Sequence, residues 1–371
     1  MDSCKTILIT GAFGQVGQRC LTLLLDQGHK VIALDVANDK TLKTEEKVRS
    51  TTQNDHNFIT IHANLLDDGE LEQHITEQAP TVIIHLAAIV SPPCYSNPAL
   101  ARKINVDGTA TLIQAAQKLP APPLFIFASS SAVYGSRNPH TQHEQINLAT
   151  PVKPIECYGE DKIMGESLLT ASGLPYAILR LAGVISPDGM SNMRAEYLVL
   201  VRATPRDNRV HAIDARDAAL AFANAAKLAA KNHNKIFLIG GNDSCKKTQR
   251  GLEDDVMEVI GIGRLGDGAS LPGNPKDDLG WSFTDWYDTN EAEEVLHFQQ
   301  HDWEETLEWL ASSINPTTRK VTRLCSPLIR CAILAMNVIQ RKLDKRGRYA
   351  DPWQLISQKY GDRVKVPCDF L

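Results

Sequence analysis

The stretch that decides the fold is Lys5-Thr-Ile-Leu-Ile-Thr10, then Gly11-Ala-Phe-Gly14-Gln-Val-Gly17, and, after a helical run from Gln18 to Gln27, Lys30-Val-Ile-Ala-Leu-Asp35. The first segment reads as a short buried strand. The glycines read as a turn, and Leu21, Leu24 and Leu25 mark one face of a helix. The second strand ends in a carboxylate. Glycines allow a tight turn and close backbone approach, and a helix N-terminus offers unpaired amides to a pyrophosphate. An acid about 20 residues on can accept bonds from adenosine ribose hydroxyls. Asp35 therefore favours NAD over NADP, because a ribose 2′-phosphate would meet a like charge there. No arginine immediately follows to offset it.

Further along, Phe58–His62, Thr81–Leu86 and Leu124–Ala128 are short, β-branched or aromatic runs, whereas Leu100–Lys118 spaces its apolar residues as a helix. Nearly continuous apolar strands separated by helices predict a parallel sheet covered on both faces. Ligands bind such sheets at the carboxyl ends of the strands, where Asp35, His85-Leu-Ala-Ala88 and Ser129–Ser131 all fall.

Tyr158-Gly-Glu-Asp-Lys162 supplies chemistry. On a helix, four-residue spacing puts the phenol and the ammonium on one face, and the cation is expected to lower the tyrosine pKa. Ser130, in Phe127-Ala-Ser-Ser-Ser-Ala-Val-Tyr-Gly135, lies 28 residues earlier and can hold a substrate oxygen while Tyr158 exchanges its proton. A Tyr-xxx-Lys match alone is more often a surface helix. Its combination with Ser130 and the glycine turn favours alcohol oxidation or ketone reduction.

These residues, with Asn64-Leu65, Asn105-Val-Asp-Gly-Thr109 and Arg180, give the chain a resemblance to the extended short-chain dehydrogenase/reductases of the NAD-dependent epimerase/dehydratase type, over roughly residues 5–240. The resemblance implies catalytic Ser130, Tyr158 and Lys162, with Asn105 supporting the active-site water network. It implies a cofactor site of Gly11, Phe13, Gly14, Gln15, Val16, Gly17, Asp35, Asn64, Leu65, Leu86, Ala87 and Ala88, shared with Tyr158 and Lys162. It also implies a homodimer through the helix of residues 100–118 and the helix bearing Tyr158. Three positions depart from the pattern: Asn64 is usually aspartate, Asp161 is usually small, and no acidic pair follows Ser130. The last departure disfavours dehydration.

The expected fold is α/β, a Rossmann-type doubly wound parallel sheet with a small C-terminal substrate lobe and an extra C-terminal helical tail. Residues 1–180 are expected to form the NAD-binding domain with its catalytic Ser, Tyr and Lys, residues 181–315 a substrate lobe interleaved with late Rossmann elements, and residues 316–371 a basic, partly apolar helical tail. Lys235–Ile239 reads as a late strand, and Leu252–Ile260, Asp288–Leu296 and Trp303–Leu310 as helices. Only about 30 residues separate Arg180 from His211, less than similar nucleotide-sugar epimerases carry, which points to a compact substrate. Ser91, Ser131 and Arg194 are the substrate-binding candidates. Arg194, Arg202 and Arg206 could bind a carboxylate or phosphate, although solvated arginines are the commoner case.

The chain has 371 residues, 43% of them hydrophobic, and a formal charge of −5, which supports a sizeable core and gives no general pull toward nucleic acid. Eight cysteines without CxxC pairs read as reduced thiols rather than a disulfide framework or zinc site. Met1 lies so close to the first strand that no signal peptide is expected, which suggests a cytoplasmic protein. Leu324–Ile339 is mostly apolar, is interrupted by Arg330 and is flanked by cations over residues 319–348. Docking on the protein body or on a second subunit is the first expectation for that segment, and peripheral contact with an anionic membrane the second.

Three functions follow. The leading one is an NAD-dependent oxidoreductase or epimerase acting on a carbohydrate-like small molecule. The second is an enzyme resembling 3-beta-hydroxysteroid dehydrogenases, acting on a lipid at a membrane surface. A non-catalytic dinucleotide sensor ranks last, because Tyr158 and Lys162 are both present.

Overall fold

The computed structural model describes residues 4–52, 54–191 and 195–366. Strand and helix alternate as β1 (Thr6–Thr10), α1 (Gly17–Asp26), β2 (Lys30–Asp35), α2 (Asp39–Thr51), β3 (Phe58–His62), α3 (Asp68–Gln78), β4 (Val82–His85), α4 (Pro98–Arg102), α5 (Gly108–Gln117), β5 (Leu124–Ser130), α6 (Cys157–Ala171) and β6 (Tyr176–Leu181). There follow β7 (Gly183–Ile185), α7 (Pro187–Ser191), α8 (Ala195–Ala203), β8 (Arg209–Asp214), α9 (Ala215–Ala225), β9 (Lys235–Ile239), β10 (Lys246–Thr248) and α10 (Gln249–Val259). The described chain closes with α11 (Asn290–Leu296), α12 (Trp303–Ser312), α13 (Pro316–Leu343) and α14 (Pro352–Tyr360).

Seven parallel strands form one sheet in the order β3-β2-β1-β4-β5-β6-β9. Period-two alternation divides its side chains between two cores. Ile7, Ile9, Val31, Ala33 and Ile84 pack with Leu21 and Leu24 of α1 and Phe222 of α9. Their neighbours Leu8, Ile32, Ile83, Phe125 and Phe127 pack with Leu71 and Ile75 of α3 and Leu112 and Ala116 of α5. Each fully buried leucine or phenylalanine contributes about 1.5–3 kcal/mol of transfer free energy. Strand order reverses between β1 and β4, which opens a crevice beyond their carboxyl ends. A second sheet, β10-β8-β7, carries the smaller lobe.

The chain departs from its sequence-based outline in three places. The helix expected over 100–118 is broken into α4 and α5 by a π turn at Lys103–Asp107, and Asn105 sits in that turn. Strand β5 runs two residues further than expected, so that Ser129 and Ser130 pair with Arg180 and Leu181 of β6. The helical tail is longer than the apolar run, because Asn315 caps it and Pro316 opens its first turn.

Candidate active site

The glycine turn fits a dinucleotide by shape. Gly11 has φ +65°, and a Cβ on it would lie 2.8 Å from the Ala87 amide nitrogen, so only glycine lets the turn abut the end of β4. A Cβ on Gly17 would lie 2.3 Å from the Gly11 carbonyl oxygen. Phe13, Gln15 and Val16 complete the turn into α1. Asp35 stands across it at the end of β2 and accepts from the Phe13 amide at 3.0 Å and the Val36 amide at 2.9 Å. Burial nevertheless raises its pKa. Leu86 and Ala87 line the same crevice, half-buried, and donate backbone bonds to the Thr10 carbonyl and hydroxyl. Asn64, exposed after β3, accepts from the Leu66 amide, while Leu65 is buried against Gly108. The turn, the acid and the loops after β3 and β4 thus match an NAD adenosine half in shape and donor chemistry.

Ser130, Tyr158 and Lys162 converge beside this crevice. Ser130 ends β5 and accepts from the Ala132 amide at 3.2 Å. The Ser130 hydroxyl adjoins the phenol of Tyr158, which lies in the first turn of α6, and works against the rise in its pKa. The Lys162 ammonium sits 4.7 Å from the Phe127 ring centroid and 5.6 Å from that of Tyr158. The expectation that this cation lowers the tyrosine pKa is corrected by the environment. Burial pushes the Tyr158 phenol well above its ordinary value, and the Glu156 carboxylate adds to the rise. Burial also lowers Lys162 itself to about 8. His85 is neutral, held near 3 by burial, and bridges Thr10 and Thr109 at 2.6 and 2.9 Å. It ties β1, β4 and α5 together.

Asn105 turns its amide to the backbone of Ile89 and to Asp161. Asp161, the departure from a small residue, is buried and accepts from Arg102 Nε at 2.7 Å. Through Arg102 and Asn105, Asp161 fixes α6 to the end of α4 and to the π turn. Arg180 is bidentate to Glu166 and donates to Tyr134, beneath the serine run.

Sequence reasoning missed two contributors. Glu156 caps α6: its carboxylate accepts from the amides of Tyr158 and Gly159 at 3.0 and 2.6 Å and from the Ser91 hydroxyl at 2.9 Å. An acid just before the helical Tyr-xxx-Lys run was the available signal. Burial raises Glu156 to about 7. Ser91 is therefore turned toward Glu156. Cys94 and Cys157 adjoin the same carboxylate with their sulfurs 3.9 Å apart.

The second contributor is a strap over residues 350–366 that returns from α13 across the site. Trp353, Ile356 and Val364 join Tyr95, Ala132, Ile155, Cys157 and Tyr158 in one buried cluster, with Phe283 and Tyr360 at its edge. The Trp353 indole donates to the Trp281 carbonyl at 2.9 Å, and the Val366 amide donates to the Ile155 carbonyl at 3.2 Å. The signal lay in Asp351-Pro352, a cap followed by a helix-opening proline.

Of the remaining substrate candidates, Ser131 is buried beside Ser130, and Arg194 lies outside the described residues. Arg202 is paired with Asp344, and Arg206 donates to the Asp267 carbonyl at 3.0 Å. Both stay partly exposed while paired with neighbouring protein groups. A polar cleft of about 630 Å³ lined by Glu144, Asn242, Lys246 and Asn290 includes none of Ser130, Tyr158 and Lys162.

The fold, with its glycine turn and the Ser130, Tyr158 and Lys162 grouping, is of the dinucleotide-binding short-chain dehydrogenase/reductase type. The NAD dependent epimerase/dehydratase family matches residues 7–240, and the chain belongs to that family. Over 217 residues it is 31% identical to the UDP-glucose 4-epimerase of Mycoplasma genitalium, which covers 55% of this chain and 61% of that one. Over 164 residues it is 30% identical to the D-erythronate dehydrogenase of Cupriavidus necator, covering 44% and 49%. The chain thus spans less than two thirds of the length of either relative. The structure of UDP-glucose 4-epimerase from Thermotoga maritima with UDP-glucose superposes with a TM-score of 0.64 at 22% identity, covering 83% of this chain and 98% of that one. UDP-glucuronic acid 4-epimerase from Bacillus cereus, in complex with UDP-glucuronic acid and NAD, superposes with a TM-score of 0.64 at 20% identity, covering 83% and 100%. At these identities the structural likeness is one of fold.

Proposed function

We propose that the chain is an NAD-dependent oxidoreductase or epimerase acting at a secondary alcohol or ketone of a carbohydrate-like substrate: a sugar, a sugar acid or a nucleotide sugar. The observation that carries this reading is the meeting of Ser130, Tyr158 and Lys162 at the end of β5, beside the glycine turn. Bound NAD supplies or accepts the hydride. Ser130 holds the substrate oxygen, and Tyr158 exchanges a proton with it. Lys162 lies under Tyr158, placed to hold the nicotinamide ribose, while Asn105 positions α6. A phenol held above its ordinary pKa stays protonated at neutral pH and is set to donate to a ketone oxygen.

A second reading, a lipid alcohol or ketone resembling a hydroxysteroid, is favoured by the apolar strap packed on Tyr158. The two are separated by incubating the protein and NAD with sugar, sugar-acid, nucleotide-sugar and sterol alcohols. NADH formation at 340 nm and chromatography of the products are then followed. Conversion of a sugar-class substrate supports the first reading, and turnover of sterols alone overturns it.

We further assign a homodimer to the face formed by α4 and α5, which take the place of the helix over residues 100–118, with α6, and a cytoplasmic location, with residues 319–348 as a peripheral membrane contact. Exposed Leu100, Met164 and Leu168 support the dimer.

A further inference from the structure

Helix α13 is amphipathic in the inverted sense. Its polar side faces the protein: Ser326 donates to the Ile262 carbonyl, Asn337 Nδ2 to the Ala269 carbonyl at 3.0 Å, and Arg341 to the Gly268 carbonyl at 3.2 Å. Gly261 and Gly263 let the chain approach this side closely, and a Cβ on Gly261 would come within 2.9 Å of the Arg319 carbonyl oxygen. The opposite side carries Val321, Leu324, Leu328, Ile339 and Leu343 at helical spacing, exposed by 57%, 83%, 77%, 58% and 69%. No residue of α13 is buried, and its most apolar 18-residue window has a mean hydropathy of 1.3. A surface helix ordinarily hides such a stripe against its own core. This one turns it outward, so its partner is apolar.

Charge selects among apolar partners. α13 contains no acidic residue; of its cations Lys320, Arg323 and Lys342 are exposed, with Lys345 and Arg348 exposed just beyond it, whereas Arg319, Arg341 and Arg346 turn toward the protein. A second copy of the helix laid against the first would bring like charges together. A surface of anionic headgroups over acyl chains matches both the stripe and its cations. The hydrogen bonds to Ile262, Gly268 and Ala269 fix the helix along the body, so it cannot cross a bilayer end-on and must lie in the surface plane.

We propose that α13 is an in-plane docking surface for an anionic phospholipid bilayer, with Leu324, Leu328, Ile339 and Leu343 entering the headgroup–acyl boundary. The proposal rests on the peripheral contact assigned above and adds the face of α13 that enters the lipid and its in-plane orientation.

Full-length protein is sedimented with vesicles of phosphatidylcholine alone and of phosphatidylcholine with phosphatidylserine, beside a Leu324→Glu/Leu328→Glu variant and a Lys320→Gln/Arg323→Gln/Lys342→Gln variant. All altered side chains are exposed, so melting temperature and NAD affinity should match the parent. The parent is expected to bind the anionic vesicles at least ~10-fold more tightly than the neutral ones. The glutamate variant should remain in the supernatant, and the glutamine variant should lose the preference for anionic lipid. Equal binding of the parent to both vesicle types overturns the proposal but leaves the peripheral contact standing. Binding to neither overturns both. A glutamate variant that sediments with vesicles as the parent does, or that only converts a larger oligomer to a smaller one, assigns the stripe to something other than lipid and also overturns the proposal.

Discussion

Tyr158 and Glu156 share one turn of α6 and titrate against each other's interest. A carboxylate raised to about 7 sits two residues from a phenol that must not ionise early. Glu156 ordinarily titrates near 4.5, so protonation favours the folded chain. That contribution is complete below the ordinary value and is lost as pH rises through about 7. In Glu156→Gln the dependence should vanish. The melting temperature of the parent relative to that variant should fall between pH 4.5 and pH 8, by an amount equivalent to a stability change on the order of 3 kcal/mol. A flat difference would remove Glu156 as a titrating cap. Tyr158→Phe should cut turnover by at least ~10²-fold and leave NAD affinity nearly intact, as measured by steady-state rates and calorimetry. Unchanged turnover would take Tyr158 out of the chemistry. Ser130, Tyr158 and Lys162 could be read from spacing because their order in the chain is itself the pattern. Glu156 could not, because an acid becomes informative there only once burial and the Ser91 contact are known.

Among the elements, the strands were the most legible. β2, β3 and β9 begin and end where the sequence runs do, because their apolar residues alternate between the two cores on either side of the sheet. The π turn left no such mark, since Lys103–Asp107 keeps helical spacing and differs only in its hydrogen bonds. The strap left a weak one. Its helix is only nine residues long, and its partners Ile155, Tyr158 and Trp281 are distant in sequence. If the strap finishes the site, Trp353→Ala should destabilise the protein by about 3–5 kcal/mol. It should also lower turnover further than NAD affinity, because the cluster it leaves is the one that holds Tyr158. Calorimetric melting and saturation kinetics check both. Equal losses of turnover and NAD affinity would make Trp353 a general packing residue.

At the scale of the whole molecule, the parallel order of the seven strands places the glycine turn, Asp35, the loop after β4 and Ser130 at one edge. This is why a reading of strand ends alone gathers these residues into one candidate site. The smaller lobe was less legible, because β7 and β10 have only three residues each and the pairing of β7, β8 and β10 is set by tertiary contacts. The exposed pair Met164 and Leu168 on α6 bears on assembly. Leu168→Glu should convert a dimer to a monomer in sedimentation equilibrium without changing the melting of the monomeric fold, and a monomeric parent would dispose of the interface.

The strap gives the molecule an order in time as well as in space. Translation runs from the amino terminus, so the sheet and its cofactor crevice can fold while residues 350–366 are still inside the ribosome. The wall over Tyr158 arrives after everything it covers. A nascent chain can therefore complete its dinucleotide-binding fold before Trp353, Ile356 and Val364 close over Tyr158.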